Sequence, residues 1–151
     1  MKQNRVLIDA DACPKHAFVI AKGLCEHYGW PCVTYASYNH QFGHAMHVVV
    51  DAGPQAVDLK LANDVRPGDI VVTQDIGLAA MILGRKGKVL SVHGTIFRPD
   101  KIEFMLEERN EKARYRRGGG RTRGPAPRTS EDDRRFKEAL ESLLIGGEEK
   151  E

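Results

Sequence analysis

Val6-Leu7-Ile8-Asp9-Ala10-Asp11-Ala12-Cys13-Pro14 is the stretch from which the rest of the chain can be read. Three apolar residues, two of them β-branched, suit a short strand buried on both faces. Two aspartates follow at once, although Asp disfavours strands and is rarely buried without partners. Pro14 suits the first turn of a helix. Ala17, Ile20, Ala21 and Leu24 then recur at helical spacing until Gly29. The unit is therefore strand, acids, helix. Alternation along a strand predicts Asp9 and Asp11 on one side, at the carboxyl end where open parallel sheets bind ligands. The plainer role for one of them is to cap the helix that begins near Pro14.

The unit recurs. Ile70-Val71-Val72-Thr73 is a second buried strand, Gln74-Asp75 follows it, and Leu78 to Leu83 is apolar almost all round, as a helix packed on a sheet would be. Alone, Asp75 would read as a helix cap. Cys32 to Tyr35, His47 to Val50 and Val89 to Val92 are further strands, and Gln55 to Asn63 is a short helix. No helix is evident between the strands at Cys32 and His47. Beyond Pro99, Ile102, Met105 and Leu106 predict another helix. A last one starts near Thr129 or Ser130, with acids in its first turn and a stripe of Phe136, Ala139, Leu140, Leu143 and Leu144 that must dock on something. Short apolar strands alternating with helices predict an α/β fold: a three-layer arrangement, with a central, mostly parallel sheet of about five strands and flanking helices.

Composition narrows the class. The chain has 151 residues, 41% of them hydrophobic, enough for one domain with a sizeable core. Its 23 basic and 21 acidic residues leave a net charge of +2, so no global field selects a partner. Three cysteines without a CxxC spacing do not make a secreted disulfide scaffold. The apolar run Leu78 to Leu83 is too short to span a bilayer, and no signal-like segment precedes Arg5. A cytoplasmic domain without membrane association is the expectation. It divides into an α/β core over 1–111, a basic Arg/Gly/Pro-rich connector over 112–128, and a C-terminal helix with an acidic tail over 129–151 packed on the core. The connector holds no acid between Lys112 and Arg128.

The acids carry the chemical interest. Parallel strands lie ~4.8 Å apart, so neighbouring strands would bring Asp9 and Asp75 close together. Carboxylates that close repel, and one must hold a proton unless a cation is present. Clustered hard oxygens suit Mg²⁺ or Mn²⁺. Asp58, among Ala56, Val57, Leu59 and Leu61, is a third candidate, although an exposed helical Asp is the default. In the connector, Arg114, Arg116, Arg117, Arg121 and Arg123 interleave with glycine as a phosphate-binding candidate, with Tyr115 available to stack on a base; a solvated loop is the plainer reading. The stretch lacks the ending of a Walker loop. His40, His44 and His47 have a spacing open to zinc, interrupted by Phe42-Gly43. Cys13 with His16 is a weaker nucleophile candidate, since adjacent acids oppose a thiolate.

Taken together these residues resemble the YaiI/YqxD family, also called DUF188 or UPF0178. Asp9-Ala10-Asp11-Ala12-Cys13-Pro14 matches its opening signature. Ala56-Val57-Asp58 and Ile70-Val71-Val72-Thr73-Gln74-Asp75-Ile76-Gly77-Leu78-Ala79 match its centre. Gly94 to Pro99, Gly124-Pro125 and Asp133-Arg134-Arg135-Phe136 match its later blocks. The resemblance spans nearly the whole chain. It implies a PIN-like fold and the activity of PIN-like enzymes, which are typically metal-dependent ribonucleases. Carried over by motif, Asp9, Asp11, Asp58 and Asp75 form the catalytic acidic cluster, with Asp9, Asp11 and Asp75 as ligands of Mg²⁺ or Mn²⁺.

The expected function is a metal-dependent nuclease, an endoribonuclease in the first instance, acting on RNA. The alternative is a non-catalytic RNA-binding module that uses the Arg-rich segment. A phosphatase with an Asp nucleophile also places Asp-x-Asp at a strand end and ranks third.

Overall fold

A computed structural model describes residues 3–37, 46–50, 54–121 and 127–146. In it β1 (Val6–Asp9), β2 (Cys32–Ala36), β3 (His47–Val49), β4 (Ile70–Val72), β5 (Lys88–Leu90) and β6 (Ile96–Phe97) form one sheet. The order is β3-β2-β1-β4-β5-β6. The first five strands are parallel, and β6 is an antiparallel edge. The fold is α/β, as the alternation of short apolar runs and helices predicts. Ile96-Phe97 escapes a reading by periodicity because two residues show no period; the hairpin is set by Ser91 N–H donating to Thr95 O at 2.9 Å.

Strand alternation sorts the core into two layers. Val6, Ile8, Ile70, Val72 and Leu90 face α1 (Lys15–Tyr28) and α5 (Ser130–Leu144). Leu7, Val71 and Val89 face α2 (Pro54–Asp64), α3 (Ile76–Gly84) and α4 (Pro99–Arg117). The stripe predicted on the last helix is buried through Phe136, Leu140, Leu143 and Leu144. A reciprocal capping box between Thr129 and Asp132 starts that helix. α1 and α5 run parallel. Tyr28 Oη donates to Glu141 at 2.6 Å near their carboxyl ends, and His16 lies 3.7 Å from Asp133 near their amino ends.

Helix α4 departs from expectation. It continues through Arg117, so the first part of the predicted flexible connector is helical. From Asp100 to Arg117 no Gly or Pro interrupts it, and it ends where Gly118 begins the glycine run. No helix among the described residues is long and apolar enough to cross a membrane.

Two positions anchor the frame away from the acids. Asp69 is fully buried, 2.7 Å from Arg5 Nη2, and accepts backbone N–H bonds from Arg5 and Arg66 at 2.9 Å each. Its charge is satisfied, at the amino end of β4. Gly94 has φ +89°, and a Cβ there would stand 2.7 Å from the backbone carbonyl of Arg135 on α5. Gly94→Ala is therefore expected to cost about 2 kcal/mol, because both the left-handed backbone and the rigid neighbour oppose it. Urea denaturation with an unchanged slope would measure it; a midpoint equal to wild type would refute the close packing of this turn on α5.

Candidate active site at the carboxyl edge of the sheet

β1 and β4 are neighbours, yet the chain leaves them on opposite faces of the sheet, through α1 and α3. Such a switch point opens a crevice beyond the carboxyl ends of the two strands. There a cavity of about 280 Å³ is lined by Asp9, Asp11, Ala12, Asp58, Gln74 and Asp75. The structure thus brings all four sequence-predicted acids to one place.

Each acid arrives by a different local route. Asp9 ends β1 on the Leu7 side, by alternation, and is buried. Thr73, just past β4 on the corresponding side, donates its hydroxyl to Asp9 Oδ2 at 3.0 Å. Asp11 does not share a strand face with Asp9, because β1 stops and Ala10–Ala12 turn as a 3-10 segment. That turn swings Asp11 over the end of β2, where its Oδ2 accepts from Ser37 N (2.9 Å) and Ser37 Oγ (2.6 Å). Asp75 is the N-cap of α3, accepting from Gly77 N at 2.8 Å and Leu78 N at 3.3 Å. The plainer reading of Asp75 as a cap is correct, and the same carboxyl also lines the cavity. Asp58 comes from α2, half-buried, on the side of the buried Leu61 and Ala62 three and four residues on, and lines the cavity from there.

The electrostatics follow from this crowding. Burial raises the Asp9 carboxyl; the Thr73 hydroxyl opposes the shift, and the charges of Asp11 and Asp75 add to it. Asp58 is pushed up to about 7, first by burial, then by a side-chain hydrogen bond with Asp75 and the charges of Asp75, Asp9 and Asp11. Two carboxyl groups in hydrogen-bond contact share one proton, which belongs to the pair. Among the described residues, no group of three or more His, Cys, Asp or Glu side chains is arranged so that it could hold a metal ion. The donor set is nonetheless all hard oxygen, and burial first, then the mutual repulsion of the acids, favours the protonated form of Asp58. A divalent cation would relieve that repulsion, so the residues fit Mg²⁺ or Mn²⁺ in kind.

Cations stand on one side of the acids. Arg109 Nη1 lies 3.9 Å from Asp75 Oδ1. Arg109, Lys112 and Arg116, spaced along one face of α4, line a second cavity of about 260 Å³ with Ile76, Met105 and Glu108. Of the predicted phosphate binders, Arg116 belongs to this cavity, while Arg114 pairs with Glu111 at 2.9 Å. Arg117 ends the helix, Arg121 follows it in the open, and Arg123 lies outside the described residues. Tyr115 is exposed, but part of its ring is covered by Gly120, where a Cβ would come within 2.4 Å. Arg109 and Lys112 are not distinguished by sequence; on a helix this rich in charge, only knowing which face meets α3 separates them from the rest.

The weaker candidates fare differently. His40 and His44 lie outside the described residues, and His47 Nδ1 is engaged by Thr34 Oγ1 at 2.6 Å. Burial pushes the Cys13 thiol up to about 12, against the opposing charge of Arg128, so Cys13 is a protonated thiol at neutral pH.

Comparison with known proteins agrees with this arrangement of motifs. Residues 7–146 match the model of a family described as "Uncharacterized BCR, YaiI/YqxD family" (DUF188). A UPF0178 protein of Heliobacterium modesticaldum is 48% identical over 140 residues, covering 93% of this chain and 96% of its own length. One from Clostridium kluyveri is 40% identical over 145 residues, covering 95% and 94%. One from Exiguobacterium sibiricum is 38% identical over 142 residues, covering 93% and 96%. No solved structure matches the chain.

Proposed function

The chain belongs to the YaiI/YqxD (DUF188) family, and we propose from its site that it is a metal-dependent nuclease acting on RNA. The observation that carries this reading is the Asp58–Asp75 carboxyl pair, sharing one cavity with Asp9 and Asp11 at the switch point. Four acids placed where their charges repel are costly to a fold, and Asp69 illustrates how a purely structural carboxylate is satisfied instead.

Asp9 and Asp75 would hold the ion directly, with Asp11 as a further ligand. When bound, Mg²⁺ or Mn²⁺ supplies charge against the phosphate oxygens and lowers the pKa of a water. Thr73 orients Asp9, and Ser37 orients Asp11. Asp58, half-buried beside Asp75 in the same cavity, is placed to exchange a proton with a water there. Arg109, Lys112 and Arg116 meet backbone phosphates, which gives affinity without sequence preference.

The test is cleavage of single-stranded and structured RNA with Mn²⁺, Mg²⁺ or EDTA. Cleavage that needs the ion supports the nuclease. Salt-sensitive binding without cleavage overturns it in favour of an RNA-binding module built on α4. In the nuclease, Arg109→Ala is expected to raise KM about 10-fold with a smaller change in kcat, since a phosphate contact made before and during reaction is uniform binding. Steady-state kinetics at two salt concentrations would check it; an unchanged KM removes Arg109 from the substrate path.

A further inference from the structure

Gln74 lines the acidic cavity and has no part in the chemistry described so far. We propose that its side-chain amide N–H donates to a non-bridging oxygen of the phosphodiester, which makes Gln74 a substrate-binding residue of this site.

The first support is the orientation of the amide. The Val92 backbone N–H donates to Gln74 Oε1 at 3.0 Å. A backbone N–H needs an oxygen opposite it, so this bond fixes which arm of the amide is which. The oxygen is thereby engaged, and what Gln74 has left to offer is Nε2 with its two protons. Nothing among the described residues accepts from Nε2.

The second support is what holds it. Val92 is buried, and its carbonyl accepts from Arg128 Nη1 at 2.7 Å. Arg128 Nε in turn donates to Asp133 Oδ1 on α5 at 2.7 Å. The Val92 residue that fixes Gln74 is therefore clamped through both its N–H and its carbonyl. A donor held in place before the ligand arrives loses little freedom on binding it.

The third support is charge. The other side chains lining the cavity are four carboxyl groups and the methyl of Ala12, so Gln74 alone brings N–H donors to it. It brings them from the layer of α1 and α5, to which Val92 belongs, whereas Arg109 approaches Asp75 from α4 on the opposite face. A phosphodiester over the acids is thus met by a donor on each side. As water adds to phosphorus, negative charge grows on the non-bridging oxygens, and a preorganised donor strengthens with it. A lysine or arginine at position 74 would pair with the acids; a neutral amide donates without neutralising them. That the contact serves cleavage rests on the nuclease reading; the contact with a phosphodiester does not.

The full-length chain in Mg²⁺ would be titrated with dimethyl phosphate, a phosphodiester anion carrying only methyl groups, while side-chain amide resonances are followed. The Gln74 pair is assigned by its absence from Gln74→Met. A saturable shift of that pair is expected, and a pair that stays unmoved overturns the proposal. Two variants separate donation from its rivals. Gln74→Glu keeps an acceptor for Val92 and loses the donor. Gln74→Met, close in length, loses both and adds no charge. Both are expected to lower kcat/KM for RNA at least about 10-fold. Mn²⁺ affinity, read by electron paramagnetic resonance, should not fall in either. If Gln74 only secures the turn at Val92, Gln74→Glu would cleave like wild type; if added charge is the whole effect, Gln74→Met would. Either result overturns the proposal, as does weaker Mn²⁺ binding by Gln74→Met, which would tie the residue to the ion. A Gln74 shift with dimethyl phosphate in a chain that cuts no RNA sinks only the nuclease. Ion-dependent cleavage untouched by both variants sinks only this inference.

Discussion

Asp9→Asn and Asp75→Asn are each expected to reduce ion-dependent RNA cleavage by at least about 10³-fold while leaving the chain folded. In the proposed nuclease the loss follows from removing a direct ligand whose negative charge an amide cannot replace. Folding should survive for reasons specific to each position. Asn caps a helix about as well as Asp, so the amide of Asp75→Asn would still accept from Gly77 and Leu78 and start α3. Asp9→Asn keeps a carbonyl oxygen for the Thr73 hydroxyl. The ionised Asp9 is disfavoured by burial and by its acidic neighbours, so without divalent ions Asp9→Asn should melt above wild type. An acid that weakens the apo fold and is needed for turnover is a functional acid. Kinetics and thermal melts on the same preparations would decide it. Cleavage within tenfold of wild type in both variants would remove these residues from the reaction. Loss of cleavage together with a lowered melting temperature in EDTA would instead make them structural.

Part of this site is legible in the sequence alone. Val6-Leu7-Ile8 and Ile70-Val71-Val72 announce buried parallel strands, and the acids that follow them announce the ligand-binding edge, because apolar runs and charged breaks are local signals. The route taken by Asp11 is not local: nothing in Ala10-Asp11-Ala12 says that β1 ends at Asp9, since the turn is stabilised by Ser37, 26 residues away. Asp58 looks like an ordinary helical acid in sequence because its partner, Asp75, lies on another element. The end of helix α4 is hidden because arginine beside glycine resembles a flexible linker, whereas Arg and Lys are good helix formers until glycine intervenes. The pairing of α1 with α5 depends on a contact between segments more than a hundred residues apart.

The shared proton at Asp58 makes stability depend on pH in a predictable direction. In the unfolded chain this carboxyl titrates near the ordinary value of 3.8; in the fold it is pushed up to about 7. Between those values the native state binds the extra proton, so the slope of unfolding free energy with pH is negative there. The contribution is fully present below 3.8 and is lost as pH rises through 7. In EDTA, wild type is therefore expected to lose stability between pH 5 and pH 8 relative to Asp58→Asn, which keeps the hydrogen bond to Asp75 and cannot ionise. The full shift would correspond to about 4 kcal/mol, and partial exposure of Asp58 reduces the expectation to about 2 kcal/mol, or ~6 °C in melting temperature. The other carboxylates and the histidines titrate in both proteins, so the difference between the two melting curves isolates this site. Curves that stay parallel from pH 5 to 8 would mean that Asp58 is an ordinary exposed acid. Curves that diverge as pH rises would mean that the fold holds an unrelieved negative charge at neutral pH, the condition a bound divalent cation corrects. Added Mg²⁺ should then restore stability to wild type more at pH 8 than at pH 5, where the proton already occupies the pair.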